Sequence, residues 1–148
     1  NNCDVVQVQP IILKGETLYQ QFNKVHKNNI LDTCIDFLSP IEKEKFRNYL
    51  NGNKISGLNM FITKSPFYKE YCENLFPWLD KCLNYCKKNN LCTDYNTRLP
   101  AFLAERYTSF YWSSLNIKSK YLSYARLGTV MLSNNVNKFV NPTKIPFT

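Results

Sequence analysis

The ionisable residues best suited to chemistry are Glu105 and the two arginines near it, Arg98 and Arg106. Helical spacing puts Glu105 on one face with Phe102 and Trp112, so its carboxylate is predicted to be semi-buried beside aromatic rings. A carboxylate in such surroundings has a raised pKa and can act as a general base that takes a proton from a hydroxyl group. A structural ion pair with one of the arginines is the alternative.

Arg98, Arg106 and Asn59 have side chains suited to binding a ligand. A guanidinium matches phosphate oxygens with two parallel hydrogen bonds, so either arginine could hold a diphosphate. Asn59 stands in an apolar segment, where its amide either orients a ligand hydroxyl or satisfies the neighbouring backbone. All three are candidate substrate contacts.

His26 is the one histidine of the chain. As a base or a metal ligand it would need a partner carboxylate, and the nearby Asp32 and Asp36 belong to a different predicted helix. The residues alone therefore favour a capped or surface histidine, with a functional role as the alternative.

The cysteines predict reduced core thiols rather than a disulfide framework. Four of the six fall on apolar helical stripes, where a thiol packs as a small hydrophobe: Cys34, Cys72, Cys82 and Cys86. A reduced, cytoplasmic protein follows. The spacing of Cys82, Cys86 and Cys92 is not a zinc pattern, and the sequence has no glycine-rich phosphate loop and no Ser/His/Asp order. These features give no support to a hydrolase or a kinase.

The net charge of +8 is concentrated after Glu105, where six basic residues follow and no acidic one does. Such a segment suits an anionic membrane surface, a diphosphate-bearing donor or a lipid-linked acceptor. A solvated basic surface is the alternative. Aromatic residues between the charges would also suit single-stranded nucleic acid, but four arginines against fifteen lysines and the lack of a binding motif argue against it.

At 148 residues, with 44% apolar and 15% aromatic content, the chain is long enough for one globular domain with its own core. No apolar run approaches the roughly eighteen residues of a membrane helix, and the first residues are not a signal peptide. We therefore expect neither a spanning nor an export segment.

A buried strand is predicted over 57–62, where it would position Asn59. Leu58, Met60 and Ile62 are predicted to face the core. Ser65 is predicted to cap the next helix. An apolar stripe follows that helix for about six turns and includes Phe67, Tyr71, Leu75, Leu79, Cys82 and Cys86.

Pro77 is predicted to kink this helix without ending it, because the stripe continues in phase beyond it. The aromatic residues Tyr68, Tyr71, Phe76 and Trp78 either stack on sugar rings or, as is more usual for a set with helical spacing, form core. The next helix, which contains Glu105, is predicted to begin near 97–100.

Before the central strand, the sequence predicts a strand over 4–9 and helices with N-caps at Thr17, Asn29 and Ser39. After the helix of Glu105, it predicts a late strand over 127–132. Residues 133–148 are predicted to be an irregular tail. The order predicts an α/β fold in which helices dominate and the small sheet is incomplete.

Several segments, in the right order, resemble one known family. They are Asn-Met-Phe-Ile at 59–62, Tyr-Cys-Glu-Asn-Leu-Phe-Pro at 71–77, Arg98, Phe-Leu-Ala-Glu-Arg at 102–106, Trp112, and upstream 4–6 and 19–26. Together they are similar to the C-terminal half of a family of bacterial glycosyltransferases of capsular and lipopolysaccharide synthesis, long catalogued as a domain of unknown function.

The resemblance implies the second half of a nucleotide-sugar-binding (GT-A-like) glycosyltransferase domain at the inner face of the membrane. It would transfer a sugar from a nucleotide-diphosphate donor to a cell-surface glycan. Glu105 would be the acceptor base, and Asn59, Arg98, Arg106 and His26 would bind substrates. The resemblance places the acidic residues for a divalent Mg or Mn ion upstream, so no cofactor is expected in this segment.

Two further expectations complete the interpretation. Residues 1–148 form either a single domain or the C-terminal part of one glycosyltransferase domain, and as an isolated fragment they are expected to be inactive. The alternative function is a basic, helical module that binds nucleic acid or a protein partner without catalysis, although nucleic acid is not the expected partner.

Overall fold

The structure is a computed structural model, and it describes residues 3–26 and 29–123. The predicted strand over 127–132 and the predicted tail over 133–148 lie outside these residues. Helices dominate the described part: α1 (Leu18–His26), α2 (Ile30–Asp36), α3 (Pro40–Leu50), α4 (Ser65–Lys88), a short 3-10 helix (Asp94–Arg98) and α5 (Leu99–Ser114).

The strands are short and form two small sheets. They are β1 (Val5–Val8), β2 (Ile11–Ile12), β3 (Lys54–Ile55), β4 (Phe61–Thr63) and β5 (Ser119–Leu122). β1 lies between β4, to which it is antiparallel, and β5, to which it is parallel, and Val5 pairs with Thr63 on one side and Ser119 on the other. β2 and β3 form a separate antiparallel pair. The predicted helix-dominant α/β class is confirmed.

β4 is shorter than predicted, and the face of the strand that it buries is the opposite of the predicted one. Leu58, Met60 and Ile62 are exposed, whereas Phe61 packs against aromatic rings of α4 and α5. Leu58 and Asn59 have φ values of 73° and 49°, so they form a left-handed turn and take no part in the strand. Because side chains alternate from Phe61 onward, the face predicted to be buried is the exposed one.

α4 confirms the predicted stripe and continues through Pro77. Its buried residues are Tyr71, Leu75, Trp78, Cys82 and Cys86. The indole nitrogen of Trp78 donates to the carbonyl oxygen of Cys34 over 2.7 Å, which ties α4 to α2. The stripe therefore forms one side of the core.

α5 is the central helix of the core, buried nearly all the way round. Leu99, Leu103, Tyr107 and Trp112 are each at most 1% exposed. A helix in this position presents its few polar side chains either to a neighbouring element or to an opening in the fold.

All six cysteines have free thiols, and Cys34, Cys82 and Cys86 are buried while Cys72 is half-buried. Burial is the main cause that raises the pKa of Cys86 to about 12. A buried thiol that stays protonated is unreactive, so Cys86 acts as a core side chain.

The helix N-caps are only partly as predicted. Thr17 and Gln20 exchange hydrogen bonds of 2.9 and 3.1 Å in a capping box, and the Ser39 hydroxyl caps α3 at the Glu42 amide. Ser65 is wrong as a cap, because Lys64 occupies that position and makes no side-chain cap. Asn29 holds the N-cap position of α2 in a left-handed conformation, again without a side-chain cap.

This difference gives a direct test of the caps. Ser39→Ala removes an acceptor for an otherwise unpaired helix amide, and we expect it to lower the free energy of unfolding by about 1 kcal/mol. Ser65→Ala is the matched control and should change it by less than about 0.5 kcal/mol. Urea unfolding followed by circular dichroism measures both values. An equal loss from Ser65→Ala would contradict the observed start of α4.

Candidate active site

One line of side chains on α5 brings the predicted site residues together. Phe102, Glu105 and Thr108 are spaced three residues apart and therefore neighbour one another along the helix surface. Phe102 contacts His26 at one end of this line, and Thr108 contacts Asn59 at the other. Glu105 lies between the two contacts.

His26 is buried. Of the predicted capped or surface histidine, the surface position is therefore wrong, whereas the ring does have a hydrogen-bond partner. Its Nδ1 lies 2.8 Å from Oδ1 of Asn96, and Nδ2 of Asn96 donates to the His26 carbonyl oxygen over 3.3 Å. The His26 ring centroid lies 4.3 Å from that of Phe22 and 4.8 Å from that of Phe102. Because Oδ1 can only accept, Nδ1 carries the proton of a neutral ring. This contact spans 70 residues, which sequence reasoning could not anticipate.

Burial lowers the pKa of His26, and the positive charge of Arg106 adds to this effect. The unfolded chain therefore binds a proton more readily, and stability should fall as the pH drops below the ordinary histidine pKa of about 6.5. We expect the urea midpoint to decrease between pH 7 and pH 5.5. In His26→Gln this decrease should be absent, and an identical decrease in both proteins would contradict the assignment.

Arg98 is exposed at the end of the 3-10 helix, immediately before α5. Its guanidinium carbon lies 5.5 Å from the centroid of the Phe102 ring, which supports the side chain without consuming its donors. No ion pair among the described residues involves Arg98. Its donors are therefore available to an anionic ligand.

Arg106 is buried, with 6% of its surface exposed. Its Nη1 donates to the carbonyl oxygen of Phe102 over 3.1 Å, its Nη2 donates to Oε1 of Gln21, and the guanidinium lies 4.6 Å from the Phe22 ring centroid. Nε has no hydrogen-bond partner within the described ranges. Burial lowers the pKa of Arg106 to about 10, so the group stays charged at neutral pH.

Glu105 is half-buried and makes no ion pair with the described residues. The alternative of a structural ion pair with Arg98 or Arg106 is therefore wrong, since Arg106 turns to Gln21 and Phe102 instead. Burial raises the pKa of Glu105, although the charges of Arg106 and Arg98 oppose this shift. A raised pKa is one of the properties that a carboxylate needs to act as a general base.

Asn59 lies at the other end of the line, exposed on the left-handed turn before β4. Its Oδ1 lies 3.0 Å from the Thr108 hydroxyl, which is also 2.7 Å from the Tyr71 hydroxyl and 2.7 Å from the carbonyl oxygen of Ala104. Asn59 thus contacts a side chain, whereas the alternative predicted from the sequence was a hydrogen bond to the neighbouring backbone. Thr108 was not predicted as a site residue. Its one signal in the sequence is a hydroxyl side chain in the middle of an aromatic helix.

Asn59 also borders an open groove of about 510 Å³ between β4 and α4. The groove is lined by Asn59, Phe61, Ile62, Thr63, Tyr68, Tyr71, Leu75 and Phe76. The four aromatic residues of α4 that were considered as core or as sugar-stacking residues fall into two pairs. Tyr71 and Trp78 are buried in the core, whereas Tyr68 and Phe76 are about half exposed, at 51% and 53%.

The described residues contain no group of three or more His, Cys, Asp or Glu side chains that could hold a metal ion. Among the described helices, none is both long and apolar enough to cross a membrane.

Comparison with known proteins finds a matching family and a solved structure with a similar fold. A family model described as "Domain of unknown function (DUF4422)" matches residues 1–118. No curated protein matches the chain. The apo structure of the WbbM bifunctional glycosyltransferase superposes with a TM-score of 0.65 at 15% sequence identity, covering 83% of this chain. The chain spans 24% of the length of that protein.

Proposed function

This chain belongs to the family described as a domain of unknown function (DUF4422), and we propose that it contributes the acceptor base and substrate contacts of a glycosyltransferase. The reaction would move a sugar from a nucleotide-diphosphate donor to a cell-surface glycan such as capsular polysaccharide or lipopolysaccharide. The resemblance of the motifs around Asn59 and Glu105 supports this proposal, as does the fold shared with a glycosyltransferase.

The observation that carries the proposal is the environment of Glu105. It is a half-buried carboxylate with a raised pKa and no ion-pair partner in the described part of the chain. A structural glutamate would gain stability from pairing with a nearby guanidinium, yet Arg106 binds other groups. A base for proton abstraction needs a carboxylate left free in this way.

The two ends of the line on α5 suit the two substrates of such a reaction. On the side of Phe102, Arg98 would bind donor phosphate oxygens, and Arg106 would add a fixed positive charge from its buried position. His26 would belong to the same side, where its bonds to Asn96 hold the 3-10 helix next to α5. Asn59 would meet the acceptor.

In the proposed step, Glu105 takes the proton of the acceptor hydroxyl as its oxygen forms a bond to the anomeric carbon of the donor sugar. The bond from that carbon to the diphosphate breaks, and the leaving group departs with its electron pair. The charges of Arg98 and Arg106 stabilise the negative charge that develops on the diphosphate. Glu105 releases its proton to water afterwards.

We propose that residues 1–148 act as the second half of a GT-A-like domain. Support comes from β5, whose four residues are all exposed and which pairs only with β1 within the described residues, so its other edge can accept a further strand.

A divalent Mg or Mn ion, if the reaction uses one, would be held mainly by the other half. The cytoplasmic face of the membrane is the proposed location, supported by the exposed lysines 118 and 120.

Ligand binding tests this proposal against the nucleic-acid alternative. We expect the 148-residue chain to bind nucleoside-diphosphate sugars in calorimetry, and Arg98→Ala to weaken that binding about tenfold or more, since a charge-assisted contact is lost. The same chain should show no sugar transfer on its own. Salt-sensitive binding of a single-stranded oligonucleotide, with no binding of any nucleotide sugar, would overturn the proposal.

A further inference from the structure

We propose that the groove between β4 and α4 is the acceptor subsite and that it binds a neutral sugar ring on the exposed rings of Tyr68 and Phe76. This inference rests on the proposed function, because it assigns the second substrate of the same site.

The lining combines apolar faces with few hydrogen-bonding groups. Tyr68 and Phe76 are large aromatic residues, and about half of each is exposed at the groove. Ile62, at 72% exposure, adds a further apolar surface at the same opening. Aromatic rings of this kind pack against the C–H face of a pyranose ring, while its hydroxyl groups need polar partners at the edge.

Asn59 supplies those polar partners. Its Oδ1 lies 3.0 Å from the Thr108 hydroxyl, which holds the amide of Asn59 against α5. Asn59 is exposed and lines the groove, so its amide is accessible to a ligand there. An amide carries both donor and acceptor atoms and can therefore bind the hydroxyl groups of a sugar.

The turn that holds Asn59 has an unfavourable conformation. Leu58, a bulky residue, adopts φ 73°, and its side chain is 43% exposed. Such conformations cost energy and concentrate at ligand-binding sites. Leu58 is also one of the exposed large hydrophobic residues, so the turn does not place it in the core.

The charge of the groove distinguishes the acceptor from the donor. None of the eight residues that line it is ionised at neutral pH. A nucleoside diphosphate requires cationic partners, which are found instead on the side of Arg98 and Arg106. The groove therefore suits an uncharged ring, and the two substrates would approach α5 from opposite ends of the same line.

The position of the groove agrees with this role. Asn59 in its lining bonds to Thr108, and Thr108 lies one helical turn after Glu105. Side chains three residues apart on a helix have Cβ atoms about 5–6 Å apart. The Asn59 end of the groove therefore lies one helical turn of α5 away from Glu105, which is the side on which the proposal places the reacting hydroxyl of the acceptor.

The test uses Tyr68→Ala and Phe76→Ala in the complete native protein, with a set of neutral hexose and N-acetylhexosamine oligosaccharides as acceptors. Each substitution should raise the acceptor KM about three- to tenfold and leave the donor KM unchanged. Ile41→Ala is the control, since Ile41 is 69% exposed on α3, outside the site. Both residues are about half exposed, so each variant should stay folded with only a small decrease in melting temperature.

Direct binding separates this inference from the proposed function. Calorimetry with the same oligosaccharides, without donor, should show binding that Tyr68→Ala weakens about three- to tenfold. If the wild type binds them in this manner but transfers no sugar, the proposed function fails while the subsite stands. Unchanged oligosaccharide binding in both variants overturns the subsite, as does binding only to vesicles of phosphatidylethanolamine and phosphatidylglycerol.

Discussion

Replacing Glu105 by glutamine is expected to lower kcat by about 10²–10⁴ in the complete native protein, which is the usual contribution of a general base. Glutamine keeps the shape and the hydrogen bonding of the side chain but cannot accept a proton. Donor affinity should stay nearly unchanged, because Glu105 acts in the transition state rather than in donor binding. Steady-state kinetics with both substrates measures the two parameters.

The pH dependence adds a second readout for the same residue. Burial raises the pKa of Glu105, so the wild-type rate should decline on the acid side at a pH above the usual range of glutamate. Glu105→Gln should lack that decline. Glu44→Gln is the control, because Glu44 is exposed on α3, and it should leave kcat unchanged.

Stability decides between the catalytic role and an architectural one. Breaking a buried ion pair costs about 3–5 kcal/mol. Because Glu105 makes no such pair with the described residues, its glutamine variant should melt close to the wild type. A variant that melts much earlier but turns over normally when folded would remove Glu105 from the catalytic assignment.

Phe46→Ala is expected to lower the free energy of unfolding by about 3–5 kcal/mol, the range for loss of a buried phenylalanine ring. Phe46 is 0% exposed. Its ring lies 6.0 Å from that of Trp78, 5.9 Å from that of Tyr107 and 4.9 Å from that of Phe110, measured between centroids. Truncation leaves a cavity that these large rings cannot fill. Urea unfolding measures the loss.

Ile41→Ala serves as the matched control on the same helix. Ile41 is 69% exposed, so its truncation should change the free energy of unfolding by less than about 0.5 kcal/mol. A loss below about 1 kcal/mol for Phe46→Ala would mean that α3, α4 and α5 do not share one core.

Local sequence signals predicted the helices well. The capping boxes at Thr17 and Ser39 depend on contacts three residues apart, which the sequence displays directly. The stripe of α4 is long enough for its phase to be clear, even across Pro77. Phe76 lies about 140° around the helix from Tyr71, so this phase also explains why one ring is exposed and the other is core.

The strands and the pairings of the site could not be predicted in the same way. All four residues of β5 are exposed, so its sequence shows no alternation of buried and exposed residues. Its partner strand β1 is also distant in sequence, since the paired residues Val5 and Ser119 are 114 positions apart. Which face of β4 is buried depends on the left-handed turn at Leu58. A bulky residue such as leucine gives no sequence signal for a turn of this kind. The contact between His26 and Asn96 likewise arises only from the tertiary fold.

The most direct test of the central claim is a transfer assay on the complete native protein with a panel of nucleoside-diphosphate sugars and neutral glycan acceptors. The proposed function predicts release of nucleoside diphosphate together with an acceptor whose mass has increased by one sugar, and a rate reduced at least about 100-fold in Glu105→Gln. Transfer that continues at the wild-type rate in Glu105→Gln, or no transfer from any donor by the folded protein, would contradict it.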